Sequence, residues 1–327
     1  MKAKNLLVIV DHDSMATFEK HAARLPGVNI AVEYVGELEQ IDKQAAAAEI
    51  VLLLCWKPAK HTLQRILQAN PKIAWVHTWW AGVDSLIFPE LKNYPLILTN
   101  ARGRFAEPLA EFAIGACIYF AKDFPRLRRN QKAAHWEQFD GGMLAGKTLG
   151  IFGYGGIGRS VARRAKGMEM RVLAVRRRIA ADTTDANVHC IMPDSALPEM
   201  CRESDFIVAS APLTRETQGI FSNHIFQSMK PDAVFVNVGR GPVVDEAALI
   251  KALSDGTIKA AALDVFEQEP LDPSSPLWAM ENVLISPHCA DHYPGWIDHT
   301  IDFYVENLER FVHGRPLENV VDIESGY

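Results

Sequence analysis

The sequence predicts an α/β protein built from two doubly wound parallel sheets that follow one another along the chain. Short, β-branched apolar runs alternate with helical stretches, this alternation begins twice, and a glycine-rich loop stands only in the second series. Strands that alternate with helices at this spacing form a parallel sheet covered on both faces. The 327 residues suffice for two ordinary domains, and we expect the boundary between them near residues 100–105.

The first array opens with the apolar run Leu6–Val10, which a polar loop and a helical stretch follow. Short runs of this kind, rich in Val and Ile and bounded by polar residues, are typical of strands. The array has no glycine-rich phosphate loop, so we expect it to do something other than hold a cofactor. Its predicted strands are 6–10, 28–32, 50–54, 73–77 and 96–99, and its predicted helices are 15–25, 45–49 and 62–68.

The second array follows a long apolar segment, Glu107–Lys122, in which Pro108 suits the first turn of a helix. Near the end of the chain, Ile297–Val312 reads as an amphipathic helix, and a short tail follows it. Between these two segments the predicted strands are 149–152, 172–175, 206–209, 233–236, 260–263 and 283–285, and the predicted helices include 159–166 and 246–253.

Composition excludes several classes of function. Hydrophobic residues make up 48% and charged residues 23% of the chain, which predicts a packed core in a soluble protein. The net charge of -6 argues against a nucleic-acid binder, and no apolar run approaches the roughly 20 residues of a membrane span. The run Leu6–Val10 is too short for a secretory signal. Five scattered cysteines, none paired at metal-ligand spacing, indicate a reduced cytoplasmic protein without a metal site.

A glycine-rich loop links the predicted strand 149–152 to the predicted helix 159–166. Glycine at its three fixed positions allows a tight turn and lets backbone N–H groups approach a pyrophosphate at the positive end of a helix. The strand before it and the helix after it favour a dinucleotide-binding loop over an ordinary glycine-rich turn. The residues that fit the G-x-G-x-x-G pattern are Gly153, Tyr154, Gly155, Gly156, Ile157 and Gly158.

The residues after the next predicted strand, 172–175, indicate which dinucleotide binds. Enzymes that use NAD place a carboxylate there, which accepts a hydrogen bond from the ribose 2′-hydroxyl. This chain has Arg176, Arg177 and Arg178 instead. Guanidinium groups suit a 2′-phosphate, so we predict a preference for NADP over NAD, with NAD still possible. The alternative is a solvated basic loop.

Several sequence blocks, taken in order, resemble the D-isomer-specific 2-hydroxyacid dehydrogenases, which include glyoxylate/hydroxypyruvate reductases. Each block is weak alone, but the ordered set is specific and covers nearly the whole chain. The resemblance implies hydride transfer between NAD(P)H and a small 2-keto or 2-hydroxy acid. The blocks are Ala81–Asp84, Lys147–Gly158, Ala211–Thr214, Asn237–Gly241, Ala262–Phe266 with Glu269–Pro270, Ser286–His288, and the tail Arg315–Leu317 with Asn319–Asp322.

Reduction of a 2-keto acid needs a hydride on the carbonyl carbon, a proton on its oxygen and a cation for the carboxylate. His288 is the candidate proton donor because imidazole titrates near neutral pH. Arg240 offers a planar fork that suits a carboxylate. The resemblance implies that Glu269, rather than Glu267 or Asp264, bonds the other imidazole nitrogen. The alternatives are a structural histidine and a surface ion pair.

The resemblance also assigns binding residues. In the first array, the backbone of Ala81, Gly82 and Val83 would receive the substrate carboxylate, together with Arg240 and His288. In the second array, cofactor contacts fall on the arginines and glycine loop already named, with Asp264 at the nicotinamide carboxamide. The remaining cofactor contacts are Pro212, Thr217, Val238 and His288.

Two tryptophans precede the predicted carboxylate loop. Many relatives carry smaller residues at Trp79 and Trp80, so we expect a substrate pocket that is narrower or more apolar than usual. Trp56 and Lys57, after the strand 50–54, could line the same cleft. The alternative is core packing, which we favour for at least one of Trp79 and Trp80.

These observations combine into one prediction. A discontinuous flavodoxin-like substrate domain, 1–101 with 295–327, accompanies a Rossmann NAD(P)-binding domain, 102–294, and the active site lies in the cleft between them. Resemblance implies a homodimer with the helix 107–122 and nearby strands at its interface. Glyoxylate and hydroxypyruvate lead the substrates, and bulkier keto acids stay open. The rival function is a dinucleotide-sensing interaction protein of the corepressor type, since such proteins keep these motifs.

Overall fold

A computed structural model describes residues 3–25, 27–56, 59–177, 185–324 and 326. Contacts between Cα atoms divide the chain into two compact units. Unit 1 comprises Met1–Arg104 and Pro294–Tyr327, and unit 2 comprises Phe105–Tyr293.

Unit 1 holds a parallel sheet with the strand order β2-β1-β3-β4-β5. Every pair of neighbours in it is parallel, and β1 is paired on both sides. This order is that of the flavodoxin-like doubly wound fold. The elements are β1 (Lys4–Val10), α1 (His12–Ala22), β2 (Val28–Tyr34), α2 (Leu38–Ala45), β3 (Ile50–Leu54), α3 (Lys60–Ala69), β4 (Trp75–Thr78), a 3-10 turn (Pro89–Asn93) and β5 (Ile97–Asn100).

The sheet of unit 1 is buried around its central strand, β3, which is apolar throughout. All five residues of β3 are buried, as expected for a strand covered on both faces. One face packs against α2 and α3, which bury Ile41, Ala45, Leu63 and Ile66 in the same apolar cluster as Leu53.

Unit 2 holds a second parallel sheet, ordered β12-β11-β10-β9-β6-β7-β8. The strand order reverses at β6 and β9, and ligands of doubly wound folds bind at such a switch point. The elements are α4 (Ala106–Ala121), α5 (Phe124–Lys132), β6 (Thr148–Phe152), α6 (Gly156–Gly167), β7 (Arg171–Val175), β8 (Cys190–Met192), a 3-10 turn (Asp194–Ala196), α7 (Leu197–Glu203), β9 (Phe206–Ala209), α8 (Asn223–Ser228), β10 (Val234–Asn237), a 3-10 turn (Gly241–Val243), α9 (Glu246–Ser254), β11 (Ala260–Leu263), a 3-10 turn (Pro276–Ala279) and β12 (Val283–Ile285).

The last helix, α10 (Trp296–Val312), returns to unit 1. The ring of Tyr304 stacks on Trp75 of β4 with centroids 5.4 Å apart, and Phe311 stacks on the same indole at 5.3 Å. The tail then joins the sheet edge, where Val320 forms an antiparallel bridge with Thr99. The C-terminal segment is therefore part of the core of unit 1.

The predicted fold class is confirmed, since both sheets are parallel and their orders are those of the two doubly wound folds. The predicted helix 45–49 is wrong. The helix is Leu38–Ala45, and Glu49 instead donates its backbone N–H to the carbonyl oxygen of Asn5 on β1. The alanines at 45–48 raised helical propensity locally, but strand pairing decided the conformation. The elements that the sequence analysis did not predict are short or polar: α5, α7, α8 and β8.

No helix in the described ranges combines the length and the apolar character that crossing a bilayer requires.

Candidate active site

The glycine loop lies at the carboxyl end of β6 and runs into α6. Gly153 has φ +96°, and a Cβ there would lie 2.5 Å from the backbone nitrogen of Ala211. A Cβ on Gly158 would lie 2.5 Å from the carbonyl oxygen of Gly153. These two glycines are needed for the close packing of the turn. A Cβ on Gly155 would meet no heavy atom within 4 Å. Gly155 therefore borders open space at the N-terminus of α6, which fits a pyrophosphate.

The two residues between these glycines differ in environment. The side chain of Tyr154 is only 2% exposed, and burial raises the pKa of its hydroxyl. Its ring lies 5.0 Å from the guanidinium carbon of Arg159. Ile157 is partly buried in the first turn of α6. The side chain of Tyr154 is a packing element, so its predicted cofactor contact is expected through the backbone.

The predicted 2′-phosphate site begins directly after β7. The backbone N–H of Arg176 donates to the carbonyl oxygen of Met192 at 2.9 Å, which fixes the start of this loop beside β8. The guanidinium of Arg177 lies 3.4 Å from Glu216. Arg178 lies outside the described residues. The structure thus places Arg176 and Arg177 at the carboxyl edge of the sheet.

The loop after β9 borders the same edge. Thr217 donates from Oγ1 to the carbonyl oxygen of Pro212 at 2.7 Å and accepts from the N–H of Thr214 at 2.8 Å. Pro212 is exposed. Val238 is buried after β10 and donates its N–H to Ala209 at 3.0 Å. Thr217 therefore shapes the loop, and its predicted contact with a cofactor stays a prediction.

Arg240 lies in a turn held by side-chain and backbone contacts. The amide of Asn237 donates to the carbonyl oxygen of Arg240 at 3.1 Å, and the N–H of Gly239 donates to Asn237 Oδ1 at 3.1 Å. The guanidinium donates to the carbonyl oxygen of Gly239 at 3.0 Å. A Cβ on Gly241 would lie 1.7 Å from the carbonyl oxygen of Phe266. The turn is therefore pressed against the backbone that follows β11.

An imidazole and a carboxylate form the centre of the site. Nδ1 of His288 lies 2.7 Å from Oε2 of Glu269, and Oε1 of Glu269 accepts from the N–H of Phe266 at 2.9 Å. The bond to Glu269 raises the pKa of His288, against the lowering effects of burial and Arg240. Burial alone would raise the pKa of Glu269, but the bonds from His288 and Phe266 leave it below its ordinary value. The pair thus favours an imidazolium beside a carboxylate.

The loop that carries His288 is anchored by Asp264, at the end of β11. This carboxylate is 1% exposed, and its Oδ1 accepts from Ser286 Oγ at 2.6 Å, from Cys289 N at 3.0 Å and from Ala290 N at 2.9 Å. The N–H of His288 donates to the carbonyl oxygen of Asp264 at 2.9 Å. Asp264 thus positions the loop, and its predicted contact with the nicotinamide carboxamide stays a prediction.

Unit 2 brings the predicted catalytic residues together. The charge of Arg240 acts on both Glu269 and His288, lowering the pKa of each group. Ala211 lies against the glycine loop at Gly153 and against the arginine turn at Gly239, where a Cβ would be 2.8 Å from its carbonyl oxygen. Both turns therefore belong to one edge of the sheet. Arg240, Glu269 and His288 therefore lie together at that edge of unit 2, and their catalytic roles stay predictions.

Sequence reasoning missed the groups that hold these side chains. The supporting roles of Asn237, Ser286 and the N–H of Phe266 were not predicted, although all three lie in the quoted blocks. Asp291 was also missed: burial raises the pKa of its carboxyl, and His292 Nε2 lies 3.6 Å from it. The available signal was a polar residue at or soon after the end of a buried strand.

The predicted carboxylate loop lies in unit 1. Asn100 donates to the carbonyl oxygen of Ala81 at 2.6 Å, and the carbonyl oxygen of Val83 accepts from the N–H groups of Leu86 and Ile87. In these hydrogen bonds, Ala81 and Val83 are therefore acceptors, through their carbonyl oxygens. Gly82 is half-buried between them.

Trp79 is 1% exposed, which confirms core packing for one of the two tryptophans, whereas Trp80 is only partly buried. Both indole N–H groups donate to the carbonyl oxygen of Cys55, at 3.2 Å and 3.1 Å. Lys57 lies outside the described residues.

A doubly wound sheet with a dinucleotide loop and a carboxylate-bound imidazole at one edge defines a nicotinamide-dependent oxidoreductase as a class. The model for the NAD-binding domain of D-isomer specific 2-hydroxyacid dehydrogenases matches residues 114–290. The chain belongs to this family, which confirms the resemblance and the predicted NAD(P)-dependent reduction of 2-keto acids.

Proteins similar in sequence and in structure match most of the chain. A glyoxylate reductase of Korarchaeum cryptofilum is 35% identical over 268 residues, which is 79% of either chain. A D-isomer specific 2-hydroxyacid dehydrogenase of Xanthobacter autotrophicus, solved with NADPH, is 31% identical with a TM-score of 0.85, over 99% of this chain and 100% of the other. An NADPH-dependent glyoxylate/hydroxypyruvate reductase of Sinorhizobium meliloti is 26% identical, with the same TM-score and coverage.

Proposed function

We propose that this protein reduces glyoxylate or hydroxypyruvate with NADPH. The observation that carries the proposal is the 2.7 Å bond between Glu269 and His288, close enough to Arg240 for its charge to act on both. These groups supply the proton and the cation that keto-acid reduction requires. Relatives described as glyoxylate and glyoxylate/hydroxypyruvate reductases support the substrate class.

The groups have different roles in this reaction. Glu269 holds Nδ1 of His288, so the protonated ring donates from Nε2 to the carbonyl oxygen of the substrate. Arg240 binds the substrate carboxylate through its planar fork and polarises the carbonyl group. NADPH, when bound, supplies the hydride.

The cofactor preference rests on Arg176. Arg176 lies directly after β7, where dinucleotide-binding folds contact the adenosine ribose. A guanidinium at this position pairs with a 2′-phosphate. Gly153, Gly155, Gly156 and the start of α6 would hold the pyrophosphate. Two structural relatives solved with NADPH or NADP support this preference.

A substrate and cofactor panel tests the proposal. NADPH oxidation is followed with glyoxylate, hydroxypyruvate and longer keto acids, and NADH is compared at equal concentration. We expect turnover with the two small acids and a higher kcat/KM for NADPH. Absence of turnover together with tight NADPH binding would instead favour a dinucleotide sensor.

The same assay tests His288. His288→Asn suits the left-handed backbone at this position, φ +51°, and should lower kcat by about 10²–10⁴-fold. NADPH affinity, read by cofactor fluorescence, should stay nearly unchanged. A variant with wild-type kcat would remove His288 from the mechanism.

We further propose a homodimer, with its interface on α5 and the segment after it. The resemblance implies an interface on the helix 107–122, here α4, which buries Leu109, Ala113 and Cys117 inside unit 2 but leaves Phe112, Ile118 and Tyr119 only partly buried. That prediction stands beside this one. Four apolar side chains after α4 are exposed: Phe124, Leu127, Trp136 and Met143, at 40%, 46%, 92% and 62%. Such side chains mark a protein interface where they form one contiguous surface.

A further inference from the structure

Two loops of unit 2 leave the sheet on either side of the glycine loop. The strands β9, β6 and β7 are neighbours and parallel, so the loops after β7 and β9 extend from the same edge, with the end of β6 between them. Neighbouring strands lie about 4.8 Å apart, so β7 and β9 are separated by about 10 Å. A contact between these loops therefore spans the crevice in which doubly wound folds bind dinucleotides.

An ion pair joins the two loops. Nη1 of Arg177, after β7, lies 3.4 Å from Oε2 of Glu216, after β9. A hydrogen bond from Thr214 has the largest effect on the pKa of Glu216 and lowers it, and the charges of Arg177 and Arg215 lower it further. Glu216 is therefore a carboxylate at neutral pH, held in place by its own loop.

The position of this pair matters more than its strength. The side chains of Arg177 and Glu216 are 35% and 62% exposed. Ion pairs between exposed side chains stabilise a fold very little, because water screens the charges and long side chains lose freedom when they pair. A ligand that brings its own negative charge to Arg177 can therefore replace Glu216 as its partner at little cost.

NADP brings such a charge to this place, and NAD does not. The two cofactors differ by a 2′-phosphate, whose oxygens are strong acceptors for guanidinium groups. The N–H donors of Arg177 lie on one small planar fork. A phosphate bound to this fork thus either displaces Glu216 or lies close to its carboxylate, where like charges repel each other. The adenosine ribose of NAD carries a neutral hydroxyl instead, so the repulsion does not apply to it.

We propose that Glu216 is a specificity-determining residue, which competes with the 2′-phosphate for Arg177 and so weakens the binding of NADPH relative to NADH. This inference rests on the proposed function, because it places the 2′-phosphate next to β7. Arg176 still favours NADPH, and Glu216 limits how tightly NADPH binds. Since affinity differences between variants of one site appear mostly in dissociation rates, Glu216 speeds the release of this cofactor.

The test compares Glu216→Gln with Glu203→Gln. Glu203 forms a similar exposed ion pair with Arg171, 2.6 Å long, but at the amino end of β7, away from the cofactor edge. It therefore controls for the loss of one negative charge. Kd is measured for NADPH and for NADH by the fluorescence of the reduced nicotinamide. Glu216→Gln should lower Kd for NADPH about 3–10-fold and leave Kd for NADH within about twofold of wild type. Glu203→Gln should leave both values within about twofold.

Salt adds a readout that a purely structural role of Glu216 would not change. At about 1 M salt the screening length falls to about 3 Å, so the NADPH affinities of Glu216→Gln and wild type should converge to within about twofold. Arg177→Ala is the second variant. It should weaken NADPH binding at low salt and leave NADH binding nearly unchanged.

Four results would overturn the inference: an unchanged Kd for NADPH in Glu216→Gln, an equal change for both cofactors, wild-type NADPH binding by Arg177→Ala, or an advantage of Glu216→Gln that persists at high salt. Wild-type protein that binds NADPH no more tightly than NADH would instead reject the 2′-phosphate site of the proposed function, so the two failures are distinguishable.

Discussion

The bond between Glu269 and His288 sets the pH range in which a proton can be donated. A carboxylate held next to an imidazole stabilises the imidazolium, so the pKa of His288 lies above its ordinary value. The protonated form is the one that reduction needs. We therefore expect kcat/KM for reduction to fall as the pH rises through this raised pKa, and the reverse oxidation to be favoured above it.

Glu269→Gln should move the pH profile for reduction. Without the carboxylate, the raising effect is lost, while burial and Arg240 still lower the pKa of His288. The fall in kcat/KM should then occur at lower pH, with roughly a 10-fold or larger loss at neutral pH. Glu267→Gln is the matched control, since Glu267 is exposed and Glu269, two residues on, is the residue bound to His288. An unchanged profile in Glu269→Gln would contradict the assignment.

At the scale of elements, the arginine turn between β10 and the next 3-10 turn links the two halves of the site. Gly239 lies against Ala211 on the cofactor side, and Gly241 lies against Phe266, whose N–H holds Glu269. A shift of this turn would therefore move Arg240 and Glu269 relative to each other. Misplacement of about 1 Å can cost 10²-fold in rate.

Gly241→Ala tests this link. The added Cβ would overlap the backbone of Phe266, so the turn or the Glu269 segment must move. We expect kcat to fall by about 10–10²-fold and the pH profile to shift toward that of Glu269→Gln. Gly115→Ala is the control: Gly115 lies in α4 with no heavy atom within 4 Å of its added Cβ, and the change should stabilise the helix by about 0.5–1 kcal/mol. Wild-type kinetics in Gly241→Ala would show that the contact is not needed.

The sequence predicted those elements that residues adjacent in sequence specify. The loop 153–158 was predicted because its glycines, the strand before it and the helix after it are adjacent in sequence. The contacts of Gly153 and Gly239 with Ala211 were not predictable, because they join segments distant along the chain. The same limit explains why α2 was misplaced by its alanines and why the three-residue β8 was missed.

At the scale of the whole molecule, the sequence predicted two parallel sheets from the rhythm of strands and helices. It could not derive the strand orders, because these depend on which crossovers pack onto which face. Likewise, resemblance rather than periodicity indicated that the tail rejoins the first array. The structure shows why it does: α10 buries Phe303 and Tyr304, and Val320 bridges to Thr99.

The proposed homodimer belongs to this scale. Leu127→Asp places a charge on the exposed apolar surface of α5, and we expect it to convert a dimer into a monomer, because an unpaired buried charge costs several kcal/mol. Light scattering after size exclusion gives the mass of each species. Leu38→Asp, at a similarly exposed site on α2 of unit 1, should leave the mass unchanged. A monomeric wild type would refute the proposal.

The anchoring of the His288 loop by one buried carboxylate bears on how this chain tolerates changes in length. Asp264 accepts hydrogen bonds from Ser286, Cys289 and Ala290, and β12 pairs with β11. The end of β11 therefore determines the position of the imidazole. The connecting stretch 271–282 does not set its position. Insertions and deletions between relatives should therefore accumulate in its exposed part, 272–274, without dislodging the proton donor, whereas Leu277 packs in the core.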